Sequence, residues 1–468
     1  MLIEIQPFLD GLTIFKIKTK RLRNDILRYL DRACDGAKQQ QRHGILLDFS
    51  NVKSGSFGAI GGVIEVIGRH PRMEFALCSV GPALERKIRG CGLDRHIILY
   101  PNCQSAANTP RFQKFAMTHG QTVISITKAR GEIRKKFGVG SIAELDVLGR
   151  SLLTHTLCNL NRYGVRDVIL DGPEPLLRRA RQGLDRELTD ELSLFLAHQS
   201  GNDRASNCFD KATPFPLSDV TKSNLVGCER ALFYPLNGLF NLNLASLLGK
   251  HTSSGCDHSI FGADHLYAQS DPKTSMNCIG TPISKPHLIS GSCLGQYAPL
   301  QGLVVRATRD ISAQSTGAQK ITANTPMNVS ESASDFLTTL RFASKGVATN
   351  LTPNGEQIDR NVWRAQGAQI SPHSRITGFC YAGASSTIEA EAHLTDFVIL
   401  GAKSKVLKNA RLSEAVLLEG AVANPDRITK EQVISKSHTK IKPVAKKENS
   451  SASFTQSPQT DLLERGAA

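Results

Sequence analysis

Aromatic residues are scarce in this chain of 468 residues: one tryptophan, seven tyrosines and a total aromatic share of 6%. A single-strand nucleic-acid surface, which stacks bases on aromatics set among cations, has little to be built from. No CxxC pair occurs, and eleven cysteines lie scattered between Cys34 and Cys380. That pattern lacks the spacing of a zinc site or a disulfide framework and reads as reduced thiols. No apolar run reaches the roughly 18 residues a membrane helix needs, so no span is expected. The opening MLIEIQPFLDGLTIF carries acids and soon alternates like a strand, so it is not read as a secretory leader and the expected location is cytoplasmic. Acidic residues are the minority charge, 42 against 57 lysines and arginines, which leaves a formal net charge of +15. Such a balance admits nucleic acid, an anionic membrane or phosphorylated ligands. Without zinc-finger or helix-turn-helix spacing, nucleic acid is not an expected partner.

What the chain does have is a period of six near its end. In the frame ITGFCY, AGASST, IEAEAH, LTDFVI, LGAKSK, VLKNAR, the first position reads Ile370, Ile376, Ala382, Ile388, Leu394, Leu400, Val406, Leu412 and Leu418. All are apolar, and the fifth position, from Ser374 and Cys380 to Val416 and Val422, is small or β-branched throughout. Neither a helix nor a simple strand has a period of six. A short strand plus a corner does, and three such units close a coil whose interior is buried only by stacking. The repeat resembles the left-handed parallel β-helix of hexapeptide-repeat proteins. Arg364 stands where an upstream hexad wants an aliphatic residue, so a cap is expected there. His373 and His393 are the histidines inside the repeat, and an acyltransferase would use such a His as general base. No neighbouring motif orients either one, and a solvated surface role is preferred.

At the other end, LIEIQPFLDGLTIFKI alternates around Asp10-Gly11 as a hairpin. A helix over RNDILRYLDRACDGAK, a strand ILLDFSNV, a helix SFGAIGGVIEVI and a strand MEFALCSV follow. This order, together with GLDRHIILYPNCQSA, resembles the STAS domain of anti-sigma-factor antagonists and anion transporters over residues 1–110. In signalling members a serine beside an aspartate at the second helix start is phosphorylated. Counted from Asp48, that position is Phe57 and its neighbour Ser56. A phenyl ring accepts no phosphoryl group. Ser54 or Ser56 are the substitutes, at a helix start where a phosphate is favoured; a docking or spacer domain for a protein partner is the preferred reading.

Between these ends, VLGRSLLTHTLCNLNRYGVRDVIL, ALFYPLNGLFNLNLASLLGKH and SASDFLTTLRFA resemble sugar-1-phosphate nucleotidyltransferases of the mannose-1-phosphate guanylyltransferase type. The resemblance, hexads included, covers residues 121–423. It implies a Gly-rich phosphate loop, a lysine ahead of the Gly-Arg turn, and two aspartates on Mg²⁺ for in-line attack on the α-phosphorus. Each device is altered. KARGEIRKK replaces the glycine cluster, the lysine position falls near Ile142, and Ser151 follows the Gly149-Arg150 turn where proline is usual. The metal-aspartate positions are Leu239 and about Val329, whose side chains carry no oxygen for a cation. Asp257, Asp264 or Asp335 are the alternative ligands if the alignment shifts. Lys128, Arg130, Arg134, Lys135 and Lys136 remain as candidates for holding a phosphate group without catalysis.

The expected architecture is multidomain α/β plus β-solenoid: a STAS-like domain over 1–110, a degenerate nucleotidyltransferase-like domain of Rossmann-like (GT-A) α/β type over 121–345, a left-handed β-helix over 361–423 and a disordered basic tail over 424–468. The expected function is noncatalytic binding, scaffolding or regulation in polysaccharide precursor synthesis, with no cofactor. Self-association through the β-helix and a protein partner at the STAS-like domain are expected. The alternative is an active Mg²⁺-dependent enzyme making an NDP-sugar of the GDP-mannose type from an NTP and a sugar 1-phosphate.

Overall fold

The structure, a computed structural model, describes residues 2–129, 131–198, 230–236, 238–240, 243–254, 258–262, 287–290, 319–322, 326–328, 336–337, 340–341, 351–425 and 428–435. Among them, no helix is long and apolar enough to cross a membrane. Asp10 and Gly11 turn strand Ile3–Leu9 into strand Leu12–Ile17, and strands Gly44–Asp48, Glu74–Cys78 and Ile98–Tyr100 join this hairpin in parallel. Side chains alternate across a strand, so this five-stranded sheet feeds two cores. Phe15, Ile45, Leu47, Phe75 and Leu77 face helices Asp25–Gln39, Phe57–Arg69 and Pro82–Gly90. Leu12, Leu46, Ala76 and Cys78 face the opposite way, where Ala106, Ala107, Phe112, Ala116 and Met117 cover them. Residues 103–117 thus carry the first sheet into the core of the next unit.

That unit is built on a seven-stranded sheet in the order Ser193–His198, Asp167–Gly172, Gln121–Ser125, Arg230–Pro235, His287–Ser290, His258–Gly262, Gln319–Thr322. The first four strands are parallel. Val123, Ile124, Val168, Ile169 and Leu170 are fully buried, as expected of strands covered on both faces. Helices Leu152–Arg162 and Glu174–Gln182 supply the crossovers between parallel neighbours.

The hexads form two parallel ladders. Ile376 pairs with Leu394 and Leu394 with Leu412, an offset of 18 residues, while Thr387 pairs with Lys405 at the same offset. Leu394, Leu412, Ile388, Val406, Ala392, Ala410, Cys380 and Val398 fill one interior. Ser385, Glu391, Asp396, Lys403, Asn409 and Glu414 have φ between 50° and 63°, and Gly367, Gly378 and Gly420 are also positive, so the corners recur about every six residues. The sixfold frame holds to Leu412 and then slips. Val398 pairs with Ala415, not Val416, and the interior passes to Ala415, Leu417, Ala421 and Ala423. Leu418 and Val422, inward in a strict frame, are only half-buried.

Both ends of the ladder differ in extent from the sixfold reading. Upstream, strand Val362–Arg364 pairs with Cys380–Ala382, and Arg364 turns outward to Glu356 of strand Glu356–Asp359, closing the end as a cap. Downstream, Ile428–Ile434 adds a further rung on Arg411–Leu417, so regular structure runs past residue 423. Thr429 and Val433 are the reason: both are buried, and they extend the rows of Leu412 and Val416. Residues 436–468 lie outside the described residues.

Candidate functional site

In a doubly wound sheet, ligands bind beyond the carboxyl ends of the strands where the order reverses. Here that point lies between Gln121–Ser125 and Arg230–Pro235, because the later parallel strands Asp167–Gly172 and Ser193–His198 were laid down on the other side. The loop leaving Gln121–Ser125 is the place for a phosphate cradle, which requires free backbone N–H groups. Two of them are occupied. Ile126 N–H donates to the Asp171 carbonyl at 2.8 Å and Ala129 N–H to the Gly140 carbonyl at 2.9 Å. Lys128 forms a bridge with Ser141, so the segment lies along 140–141 as extended chain.

The basic segment that follows is a short helix, Gly131–Phe137, and not a loop. Ile133 and Phe137, one turn apart, hold it down: Ile133 is fully buried and Phe137 meets Phe336 edge to face at 4.9 Å. Arg134 and Lys135 are exposed, Lys128 is exposed, and Lys136 is half-buried. Arg130 lies outside the described residues. Ile142, at the lysine position, is 4% exposed in a 3-10 turn whose start is capped by the Ser141 hydroxyl. A lysine there would bury its charge in the core, so the local fold is matched to the aliphatic side chain.

At the metal positions, strand Gly238–Phe240 pairs antiparallel with Pro326–Asn328, setting Leu239 opposite Met327. Val329, Asp257, Asp264 and Asp335 lie outside the described residues. Among the described residues, no group of three or more His, Cys, Asp and Glu is placed to hold a metal ion.

The Gly149-Arg150 turn shows groups that pattern reading missed. Leu148 and Gly149 have φ of 55° and 78°, and the Gly149 N–H donates to Asp146 Oδ1 at 2.7 Å. The Tyr381 hydroxyl, from the ladder, stands 1.8 Å from where a Cβ on Gly149 would lie. Asn354 N–H donates to the Leu148 carbonyl at 3.0 Å, and its side-chain amide donates to the Gly149 carbonyl at 3.3 Å. Beneath the turn, His155 Nε2–H donates to the Val147 carbonyl at 2.7 Å. Burial pushes this imidazole down to about 4, so it is neutral at physiological pH. Ser151, in place of proline, caps helix Leu152–Arg162 through Thr154 N–H. The helical face that His155 shares with Leu152 and Asn159 is the signal that would find it; Tyr381 has no such local signal, because its partner is more than two hundred residues away.

On the N-terminal unit, Ser56 is the N-cap of helix Phe57–Arg69 and accepts from Ala59 N–H at 3.2 Å. Ser54 is exposed in a short strand beside Arg21, and Phe57 is 62% exposed with Lys87 Nζ 5.6 Å above its ring. Both serines are therefore reachable from solvent. His393 lies on the ladder between Arg375 and Arg411, and His373 is exposed at a corner.

No family model and no curated protein matches this chain. Solved structures similar to it include the following two. One, a homologue of a Mycobacterium tuberculosis protein from Mycobacterium sp. strain JC1, is 17% identical with a TM-score of 0.30, covering 48% of this chain and 96% of its own. The other, an anti-sigma factor antagonist from Mycobacterium paratuberculosis, lies over the N-terminal region; it is 19% identical with a TM-score of 0.20, covering 22% of this chain and 88% of its own.

Proposed function

We propose that this chain is a noncatalytic relative of sugar-1-phosphate nucleotidyltransferases, in which a STAS-like unit and a left-handed hexapeptide β-helix flank a degenerate nucleotide-binding unit, and that it acts as a binding or scaffold protein in polysaccharide precursor supply. The observation that carries the reading is the phosphate loop. Its amides at Ile126 and Ala129 already serve protein carbonyls, and its onward chain is a helix anchored by Ile133. A nucleotide would have to break these bonds to be cradled. Leu239 in the strand where a metal carboxylate is expected points the same way, since loss of one electrostatic group in such a site typically costs about 3 kcal/mol of barrier. The polysaccharide context rests on the family resemblance.

Two arms test this. Purified protein mixed with NTPs, sugar 1-phosphates and Mg²⁺ should release no pyrophosphate; turnover above ~1 per second, ordinary for enzymes, would establish the active alternative. Capture of partners on the full chain should recover a nucleotide-sugar enzyme, and loss of that partner on Phe57→Asp would place it on the STAS-like unit. Light scattering should show an oligomer if the β-helix self-associates; its apolar outer row, Tyr381, Phe397, Ile399, Val416 and Val433, is already covered by the chain's own middle unit, so contact would use its polar faces or open end.

A further inference from the structure

Two of the cysteines come together at the joint between the first two units. Cys78 ends strand Glu74–Cys78 and is fully buried, with its side chain on the face turned toward residues 103–117. It pairs with Tyr100, and the chain then turns through Pro101 and Asn102 into helix Cys103–Ala107. The Asn102 side chain accepts from Ser105 N–H at 2.7 Å, fixing the helix start, and the helix packs back across strands Gly44–Asp48 and Glu74–Cys78. Cys103 therefore returns over the strand end that holds Cys78, and the two thiols are neighbours in the same core. Both are free, and Cys103 alone of the two reaches solvent.

The same few residues hold the neighbouring unit. Asn108 accepts from the Asn243 side chain at 3.4 Å, and Gln104 lies against Gly249 of helix Leu244–Ser254. Whatever fixes helix Cys103–Ala107 to the first sheet therefore fixes the platform on which the middle unit rests.

We propose that Cys78 and Cys103 are a modification site: a reversible disulfide, formed by hydrogen peroxide, that staples the edge of the N-terminal sheet to the segment leading into the middle unit. The Cys103 sulfur attacks one peroxide oxygen, the O–O bond breaks, and the departing hydroxide takes the thiol proton as water, leaving a sulfenic acid. The Cys78 sulfur then attacks the Cys103 sulfur, the S–O bond breaks, and the hydroxyl leaves as water with the Cys78 proton. Two thiols are oxidised by two electrons and one peroxide becomes two waters. The neighbouring Cys103 thiol and burial hold Cys78 protonated, so it reacts only once the sulfenic acid stands beside it. Cys91 is the internal contrast: exposed, with no described thiol beside it, it continues to sulfinic and sulfonic acids.

Full-length protein is treated with graded hydrogen peroxide, alkylated in denaturant without reductant, and mapped by mass spectrometry. The expected result is a linked Cys78–Cys103 peptide, lighter by two hydrogens, that appears before Cys91 is fully oxidised and is released by dithiothreitol. In Cys103→Ser the linked peptide disappears while Cys91 oxidation is unchanged. Recovery of Cys78 and Cys103 as separate free thiols from protein whose Cys91 is already oxidised overturns the proposal. So does a Cys103 bridge to any other cysteine, or a Cys78 bridge that persists in Cys103→Ser. The wild-type map needs no variant to fold.

Discussion

Gly149 has a φ of 78°, and the Tyr381 hydroxyl occupies the place of its missing side chain. The same hydroxyl is buried and has no hydrogen-bond partner among the described residues. Gly149→Ala should therefore lower stability by about 2–4 kcal/mol, from left-handed strain and overpacking together. Tyr381→Phe should be neutral or stabilising by about 1 kcal/mol, because it removes an unsatisfied polar group. In the double variant the loss should be smaller than the sum, and additive chemical-denaturation midpoints would refute the contact. His155 makes a separate prediction. Its folded pKa is depressed to about 4, below the ordinary 6.5 for a histidine, so the unfolded chain binds the proton first as pH falls. Stability is fully present above pH ~6.5, declines through the window down to pH ~4, and is lower by about 3 kcal/mol beneath it. Denaturation midpoints measured from pH 7.5 to 5 should fall more steeply in the wild type than in His155→Gln, whose amide can still reach the Val147 carbonyl.

Elements with a strong local period were readable from sequence, and elements whose shape depends on distant partners were not. The hairpin at Asp10-Gly11 and helix Asp25–Gln39, with Ile26, Leu30 and Ala33 buried, follow the pattern closely. The six-residue frame located the ladder because its corners and inward rows recur at fixed spacing. It missed the slip at Glu414, since Val416 and Leu418 are as apolar as the Ala415 and Leu417 that replace them inside. It also missed strand Ile428–Ile434, whose ITKEQVI looks polar but buries Thr429 and Val433. KARGEIRKK stands where the family resemblance puts a loop, whereas the burial of Ile133 and the packing of Phe137 on Phe336 make it a helix. The corners make a test at this scale. Asn409 is exposed with φ of 62°, so Asn409→Gly should hold or raise stability by up to ~1 kcal/mol and Asn409→Val should lower it by about 1–2 kcal/mol. Equal thermal midpoints for the two variants would contradict the corner geometry.

One apolar core runs through all three units. It joins Leu12, Leu46 and Phe112 of the N-terminal unit to Ile124, Leu157 and Leu170 of the middle sheet and on to Tyr381, Phe397 and Ile399 of the ladder. Polar contacts follow the same seams: Glu74 binds both Arg111 and Lys114, and Arg341 binds Glu414 at 2.6 Å. An independent domain normally carries its own closed core and meets its neighbour through a smaller, more polar interface. The first sheet here has a closed core on its helical face only, and its other face is completed by residues 103–117 and what lies behind them. Phe112 is fully buried at that seam, where it meets Tyr100 on one side and Phe115 on the other. Phe112→Ala should lower stability by about 3–5 kcal/mol, as for other buried aromatics. Because the core is shared, the loss should be distributed: hydrogen exchange should accelerate in strands Gly44–Asp48 and Gln121–Ser125 together. A fragment ending at residue 101 should bind hydrophobic dye and self-associate, since Leu12, Leu46 and Ala76 would then face water. Faster exchange confined to the first sheet, or a monomeric fragment that binds no dye, would show instead that the N-terminal unit is an independent domain resting on the others.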